Sequence, residues 1–159
     1  MEQRHLSLLI FSGEYDKALA AFILANSARE IDMSVTMFFA FWGLTMLRDP
    51  EKMSLEDKTL YEKMFSVMTP AGARELPLSN MNMAGLGKGM LVEMMKESET
   101  PALVDFVRGA RHKGVNFKAC RLSMEVMGIK QEELLPEVEV VNAMNYLEDA
   151  MQANIQLFI

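Results

Sequence analysis

Cysteine is almost missing: Cys120 is the one thiol in 159 residues. No intrachain disulfide can form, which excludes the disulfide-stapled scaffolds of small secreted proteins and suits a reducing, cytoplasmic setting. Proline and glycine are also scarce, at 5 and 9 residues, so a collagen-like or low-complexity chain is excluded. Positive charge is in deficit. Sixteen Lys and Arg against 22 Asp and Glu leave a net charge of −6, which argues against nucleic acid or an anionic membrane held through overall charge. No apolar run approaches the roughly 20 residues of a membrane span. The longest, Met37 to Trp42, reads as a buried strand end, and Met1 to His5 is too polar, with too short an apolar segment behind it, for a signal or transit peptide. With two histidines more than 100 residues apart, His5 and His112, and no ligand-spaced partners, no metal site is expected. Phosphate-loop, Ser-His-Asp and paired-cysteine motifs are absent too.

What is present is apolar. Half of the chain is hydrophobic, 16 residues are Met, and the length suits one domain over residues 1–159. Leu6 to Phe11, closed by Ser12-Gly13, reads as a strand buried on both faces. Leu19, Phe22, Ile23, Ala25 and Asn26 then fall at helical spacing, and Ser34 to Ala40 is a second strand that stops at Phe41-Trp42-Gly43. In mid-chain the sequence predicts a turn at Arg48-Asp49-Pro50, a helical stretch from Leu55 to Met68, a loop from Pro70 to Pro77, and a mobile Met/Gly loop from Met81 to Gly89 leading into a helix. Thr100 and Pro101 look like the cap and first position of the next helix, which runs to Gly114. Val115 to Ala119 is a third strand and Leu122 to Met127 a short helix stopped by Gly128. After a helical turn that Pro136 ends come a fourth strand at Val138 to Val141, a helix at Ala143 to Ala153 and a last strand at Ile155 to Ile159. This alternation predicts a three-layer α/β fold with a mostly parallel sheet of about five strands and helices on both faces.

In such a sheet ligands bind beyond the carboxyl ends of the strands, which singles out three loops: Ser12 to Asp16, Phe41 to Gly43 and Ala119 to Arg121. The first places Glu14 and Asp16 where a phosphate would need N–H groups, so a nucleotide or flavin phosphate is not expected there. Those carboxylates instead complement the dipole of the helix they open, and Gly13 permits the turn. Cys120 follows a strand and opens a helix, so its sulfur is expected near unpaired helical N–H groups that favour a thiolate. From Arg108 to Arg121 the chain carries Arg108, Arg111, Lys113, Lys118 and Arg121 with no acidic residue. A nucleophile or sulfur carrier fits these features, and a buried apolar filler fits the cysteine alone. Alternation puts Asn116, Lys118 and Cys120 on one face, making Lys118 either a charge partner or a snorkelling surface lysine. Peroxidase chemistry would call for a second thiol that the chain lacks. Met33, Met37, Met124 and Met127 read as core. Met81, Met83, Met90, Met94 and Met95 read either as core or as an adaptable docking surface or lid.

Lys118-Ala-Cys-Arg-Leu-Ser-Met-Glu-Val-Met-Gly128, the opening Leu-Leu-Ile-Phe-Ser-Gly-Glu-Tyr-Asp-Lys-Ala, the segment Phe-Phe-Ala-Phe-Trp-Gly and the acidic Glu-Glu-Leu stretch together resemble the DsrE/DsrF family of sulfurtransferase-like proteins. The likeness is greatest to its larger DsrE-like branch, often labelled peroxiredoxin-like, with a Met/Gly-rich insert that falls here at about residues 69–97. The resemblance implies a flavodoxin-like fold and a cysteine, here Cys120, that holds sulfur as a persulfide and passes it to a partner. Arg121, Lys118, Ser123, Ser12, Gly13, Phe41, Trp42 and Gly43 would then line the site or stabilise an anion. It also implies homo- or hetero-oligomers, commonly trimers or pairs of trimers, of which a homo-oligomer (trimer or hexamer) is expected here, with sulfur donor and acceptor proteins as partners; no cofactor is expected. Two other readings stay open: a non-catalytic module holding a small molecule or partner peptide beside Phe41 and Trp42, and a flavin protein, which would purify yellow.

Overall fold

The structure is a computed structural model and describes residues 3–159; Met1 and Glu2, part of the polar start read above, lie outside the described residues. The chain runs β1 (His5–Ile10), α1 (Tyr15–Glu30), β2 (Ser34–Phe39), α2 (Leu60–Met68), α3 (Leu86–Glu97), α4 (Leu103–His112), β3 (Asn116–Cys120), α5 (Arg121–Met127), β4 (Glu139–Val141), α6 (Ala143–Gln152) and β5 (Ile155–Phe158), with short 3-10 turns between. Five strands form one all-parallel sheet in the order β4-β3-β2-β1-β5. Strand order therefore reverses between β1 and β5, the position at which open parallel sheets commonly bind ligands.

Strand alternation sorts the side chains into two faces. Leu8, Ile10, Met37, Phe39, Phe117 and Ala119 enter the main core with Ala18, Phe22 and Ala25 of α1 and Leu103, Val107 and Ala110 of α4. Small residues let these two helices approach closely. A Cβ on Gly109 would lie 2.8 Å from Asn26 Oδ1, and Asn26 Nδ2 donates to the carbonyls of Phe22 and Phe106 at 2.8 and 2.9 Å. Phe22, Phe39 and Phe117 pack with ring centroids 5.8 to 6.3 Å apart.

The opposite face carries α6. Its Asp149 accepts from Ser7 and Thr36 hydroxyls at 2.8 and 2.9 Å, and its carboxylate lies 3.0 Å from His5 Nε2. Burial pushes the Asp149 pKa up, but the hydrogen bonds from His5, Ser7 and Thr36 together outweigh it and hold the carboxyl below its ordinary value. His5 is thus a strand-start residue bound into a hydrogen-bonded network, and His112 is exposed on α4.

Several details differ from the sequence-based expectations, among them the loop from Met81 to Gly89, which gives way to α3 already at Leu86. The α4 cap is not Thr100: the helix starts at Leu103 behind Ala102, whose N–H donates to Asp105 Oδ2 at 3.2 Å. Thr100 instead shares a hydrogen bond with Ser98. Helix α2 is shorter than the stretch from Leu55, because Thr59 caps it in a reciprocal pair with Glu62. Gly128 ends α5 at φ +67°, where glycine avoids left-handed strain, and it also lets α2 dock, since a Cβ there would lie 2.6 Å from Glu62 Cγ.

Candidate functional site at the strand ends

The carboxyl ends of β1 and β2 are locked together by backbone hydrogen bonds. Ala40 N–H donates to the Ile10 carbonyl and Gly43 N–H to the Phe11 carbonyl, each at 3.0 Å, while Phe11 and Ser12 N–H groups both donate to the terminal Ile159 carbonyl. Gly43 has no room for a side chain, because a Cβ would collide with the Ile10 carbonyl. Gly13 is required for the same kind of reason. A Cβ on it would stand 2.8 Å from the Trp42 carbonyl, so close approach, rather than an unusual turn dihedral, calls for glycine there.

Phe41 sits at φ +48°, a left-handed conformation that is uncommon for an aromatic residue. At this bend the chain leaves β2 and separates its neighbours. Ala40, before it, belongs to the same buried cluster as Cys120. Trp42, after it, faces a cavity of about 870 Å³ whose wall includes Phe11, Ser12, Gly13, Lys17 and Met68. The far wall is the 67–77 segment, held in place where Tyr15 N–H donates to the Pro77 carbonyl at 2.7 Å. Asp16 takes both the N–H and the hydroxyl of Ser79. Its pKa is pushed up by burial and pulled further down by those two bonds, for a net lowering. This carboxylate lies in the first turn of α1, where it complements the helix dipole, and it also ties the loop at Ser79 to that helix.

Cys120 is the last residue of β3 and lies directly before α5. It is 9% exposed, on the α6 face with Phe38, Ala40 and Val141, and Leu9 and Tyr146 pack around this group. The Phe38 and Tyr146 rings stack at 4.9 Å. Arg121 is exposed at the first position of α5 and Lys118 is half-buried two residues before the thiol; neither makes an ion pair among the described residues. Ser123, one helical turn beyond Cys120, is fully buried, and its hydroxyl has no hydrogen-bond partner among the described residues. The rest of the basic run is occupied elsewhere, with Arg108 on Asp105, Arg111 on Glu137 and Lys113 on Glu30.

The site residues read from sequence thus fall into two groups. Ser12, Gly13 and Trp42 line the cavity, with Gly43 beneath them and Phe41 packed on Phe11 at 5.9 Å. Cys120, Lys118, Arg121 and Ser123 belong to the β3–α5 junction, and Cys120 is not part of the cavity wall. The 40–42 bend is what joins the two groups. Thr45, Val67, Met68 and Glu75 complete the cavity and were missed, because only the folded path of the long segment after β2 brings them to the strand ends. Among the described residues, no three His, Cys, Asp or Glu side chains converge as metal ligands, and no helix is long and apolar enough to cross a membrane.

The profile of the DsrE/DsrF/DrsH-like family matches residues 2–158. The chain belongs to this family. Within it, this DsrE-like chain is 38% identical over 158 residues to the uncharacterized protein YrkE of Bacillus subtilis, covering 99% of this chain and 98% of that one. It is 29% identical over 164 residues to the sulfur carrier protein DsrE2 of Allochromatium vinosum, covering 100% of both. The crystal structure of the ychN protein of E. coli superposes with a TM-score of 0.58 over 99% of this chain and 100% of that chain at 11% identity, a likeness of fold. The expected family and its flavodoxin-like, three-layer α/β fold are therefore established, and the sheet is wholly rather than mostly parallel. At the level of the family, a sulfur-relay role is supported.

Proposed function

We propose that this protein is a persulfide carrier, a sulfurtransferase in the broad sense, that works through Cys120. The carrying observation is the position of the chain's one thiol at the carboxyl end of a central parallel strand, where it shares a buried cluster with Ala40 of the neighbouring strand end. A relative of matching length that is named a sulfur carrier supports the same reading. In the forward step the Cys120 thiolate attacks the outer sulfur of a donor persulfide, R–S–S⁻; a new S–S bond forms on Cys120 as the donor's S–S bond breaks, and RS⁻ leaves. An acceptor thiolate then attacks the outer sulfur of Cys120–S–S⁻ and takes it, restoring the Cys120 thiolate. No net oxidation occurs, and the protein needs no second thiol of its own. Arg121 and Lys118, free of ion pairs among the described residues, and the unpaired Ser123 hydroxyl are the groups nearest in sequence that can steady the anionic persulfide. With the sulfur 9% exposed, donor and acceptor have to displace part of the surrounding group to reach it.

A cytoplasmic location and a homo-oligomeric state, trimer or hexamer, belong to the same reading. The first is supported by the single unpaired thiol, and the second by the apolar residues left exposed on α6 and β5, among them Met144, Leu147, Met151 and Phe158. Incubation with a low-molecular-weight persulfide tests the function: the intact mass should rise by one sulfur atom and return on reduction. Equal gain by a Cys120→Ser variant would overturn the reading.

One observation favours a second reading, a small-molecule or partner-binding module. The 870 Å³ cavity with Trp42 in its wall does not include Cys120, so binding there needs no thiol. In that case alkylation of Cys120 would leave ligand binding at Trp42, followed by its fluorescence, unchanged.

A further inference from the structure

A second cavity, of about 300 Å³, opens between α4, the 72–75 turn and the segment before β4, and shares Glu75 with the wall of the strand-end cavity. Four arginines contribute to its wall: Arg48, Arg74, Arg108 and Arg111. Arg48 is 2% exposed, and no carboxylate lies within ion-pair distance of it among the described residues. Four of its five N–H donors go to neutral oxygens: Nη1 donates to Thr69 Oγ1 and the Pro70 carbonyl, and Nη2 to the Ser66 carbonyl and hydroxyl. The fifth, on Nε, has no acceptor among the described residues. A buried cation without a counter-ion is costly unless charge of opposite sign is brought to it.

Glu133 and Glu75 favour the Arg48 charge from beyond ion-pair distance, and the carboxylates around the cavity are committed to other partners. Glu133 is engaged with Lys58 at 2.7 Å, Glu137 with Arg111 and Asp105 with Arg108. Glu75, the one carboxylate in the wall, accepts the Ala71 N–H at 2.9 Å. Arg74 is exposed and makes no ion pair among the described residues. The remaining wall is apolar, formed in part by Val107 and Leu135. A guanidinium fork that is only singly engaged, like that of Arg108, keeps donors for a second oxyanion.

We infer that this cavity is a binding site for a small organic oxyanion, a phosphate or sulfonate head group on an apolar body. Arg74 and Arg108 bind the head group from the rim, and the buried Arg48 charge draws it in. Val107 and Leu135 hold the apolar part. The site stands apart from Cys120 and does not depend on the sulfur-carrier reading.

The probes are phenyl phosphate and benzenesulfonate, with phenol and ionic-strength-matched sodium chloride as controls, read by calorimetry and by the melting temperature of the full chain. Saturable binding of phenyl phosphate, benzenesulfonate or both is expected, and the stronger of the two identifies the head group. An Arg74→Ala/Arg108→Ala protein, altered at two exposed positions and checked by circular dichroism, should bind at least tenfold more weakly. Glu75→Gln keeps the acceptor for Ala71 and removes the opposing charge, so it should bind more tightly. The inference is overturned by an absence of saturable binding, by an equal effect of phenol or sodium chloride, by undiminished binding in the double variant, or by weaker binding in Glu75→Gln.

Discussion

Lys58 Nζ lies 2.7 Å from Glu133 Oε1, with each side chain 1% exposed and the two residues 75 positions apart in sequence. Glu133 also accepts the Lys130 and Ser54 N–H groups, and Lys58 reaches the Ser66 hydroxyl that Arg48 holds. This network fastens the segment after β2 to the turn before β4, and so fixes the end of α2 from which Met68 reaches the strand-end cavity. Breaking such a pair from one side strands a buried charge, at a cost of about 3–5 kcal/mol. Lys58→Met should therefore lower the melting temperature sharply, and Lys58→Met/Glu133→Leu should recover part of that loss. A Lys58→Met protein that melts with wild type would show the pair to be energetically idle.

Acid should unfold the protein earlier than ordinary carboxylates would suggest. Asp149, Glu133 and Asp16 are all held below their ordinary values, with hydrogen bonds outweighing burial in each. A depressed folded pKa contributes stability that is present above the unfolded value and lost as pH falls through the folded one. Stability should thus begin to fall as pH passes 4.5 for Glu133 and 3.8 for the aspartates, and keep falling below. Denaturant melts at stepped pH check this, and Asp149→Asn should flatten part of the slope. A slope unchanged in Asp149→Asn would remove that carboxylate from the account.

Two glycines should respond in opposite directions. Gly43→Ala drives a Cβ into the Ile10 carbonyl and should destabilise the chain by about 1–3 kcal/mol while disturbing the strand-end cavity. Gly89 lies inside α3 with nothing within 4 Å of a Cβ. Gly89→Ala should stabilise by about 0.5–1 kcal/mol through helix propensity and a less flexible unfolded chain. Equilibrium urea melts measure both.

Ser123 separates a structural from a functional hydroxyl. Its oxygen is buried with no partner among the described residues, so Ser123→Ala removes an unsatisfied group and should leave the melting temperature equal or higher. If the hydroxyl serves the Cys120 persulfide, the same variant should load sulfur about tenfold more slowly, a loss of about 1.4 kcal/mol in the barrier. A lower melting temperature with unchanged loading would assign Ser123 to the core alone.

Much of the fold was legible because strands such as Leu6 to Ile10 are short and predominantly apolar, and because helix ends such as Gly128 carry their own signal. Cys120 was placed correctly at its strand end for the same reason. Chain path hid the rest. Nothing local in Lys58, Ser66 or Arg48 marks them as buried, since their burial depends on partners tens of residues away. The run of bases before Cys120 looked like one patch, but α4 carries its first members along its own length to Asp105 and Glu137. Among the methionines, Met33, Met37, Met124 and Met127 are buried as read, while Met81, Met83, Met90 and Met94 are exposed on the stretch leading into and along α3.

The central claim is that Cys120 carries sulfur, and its most direct test follows a heavy-isotope sulfur atom. The protein is loaded from a ³⁴S-labelled persulfide, digested without reduction, and the peptide containing Cys120 is weighed before and after addition of an acceptor thiol. The account predicts one labelled sulfur on that peptide, its departure to the acceptor at a rate proportional to acceptor concentration, and no label anywhere in Cys120→Ser. A Cys120 peptide that never gains the label, or that gains it and does not yield it to the acceptor, would contradict it.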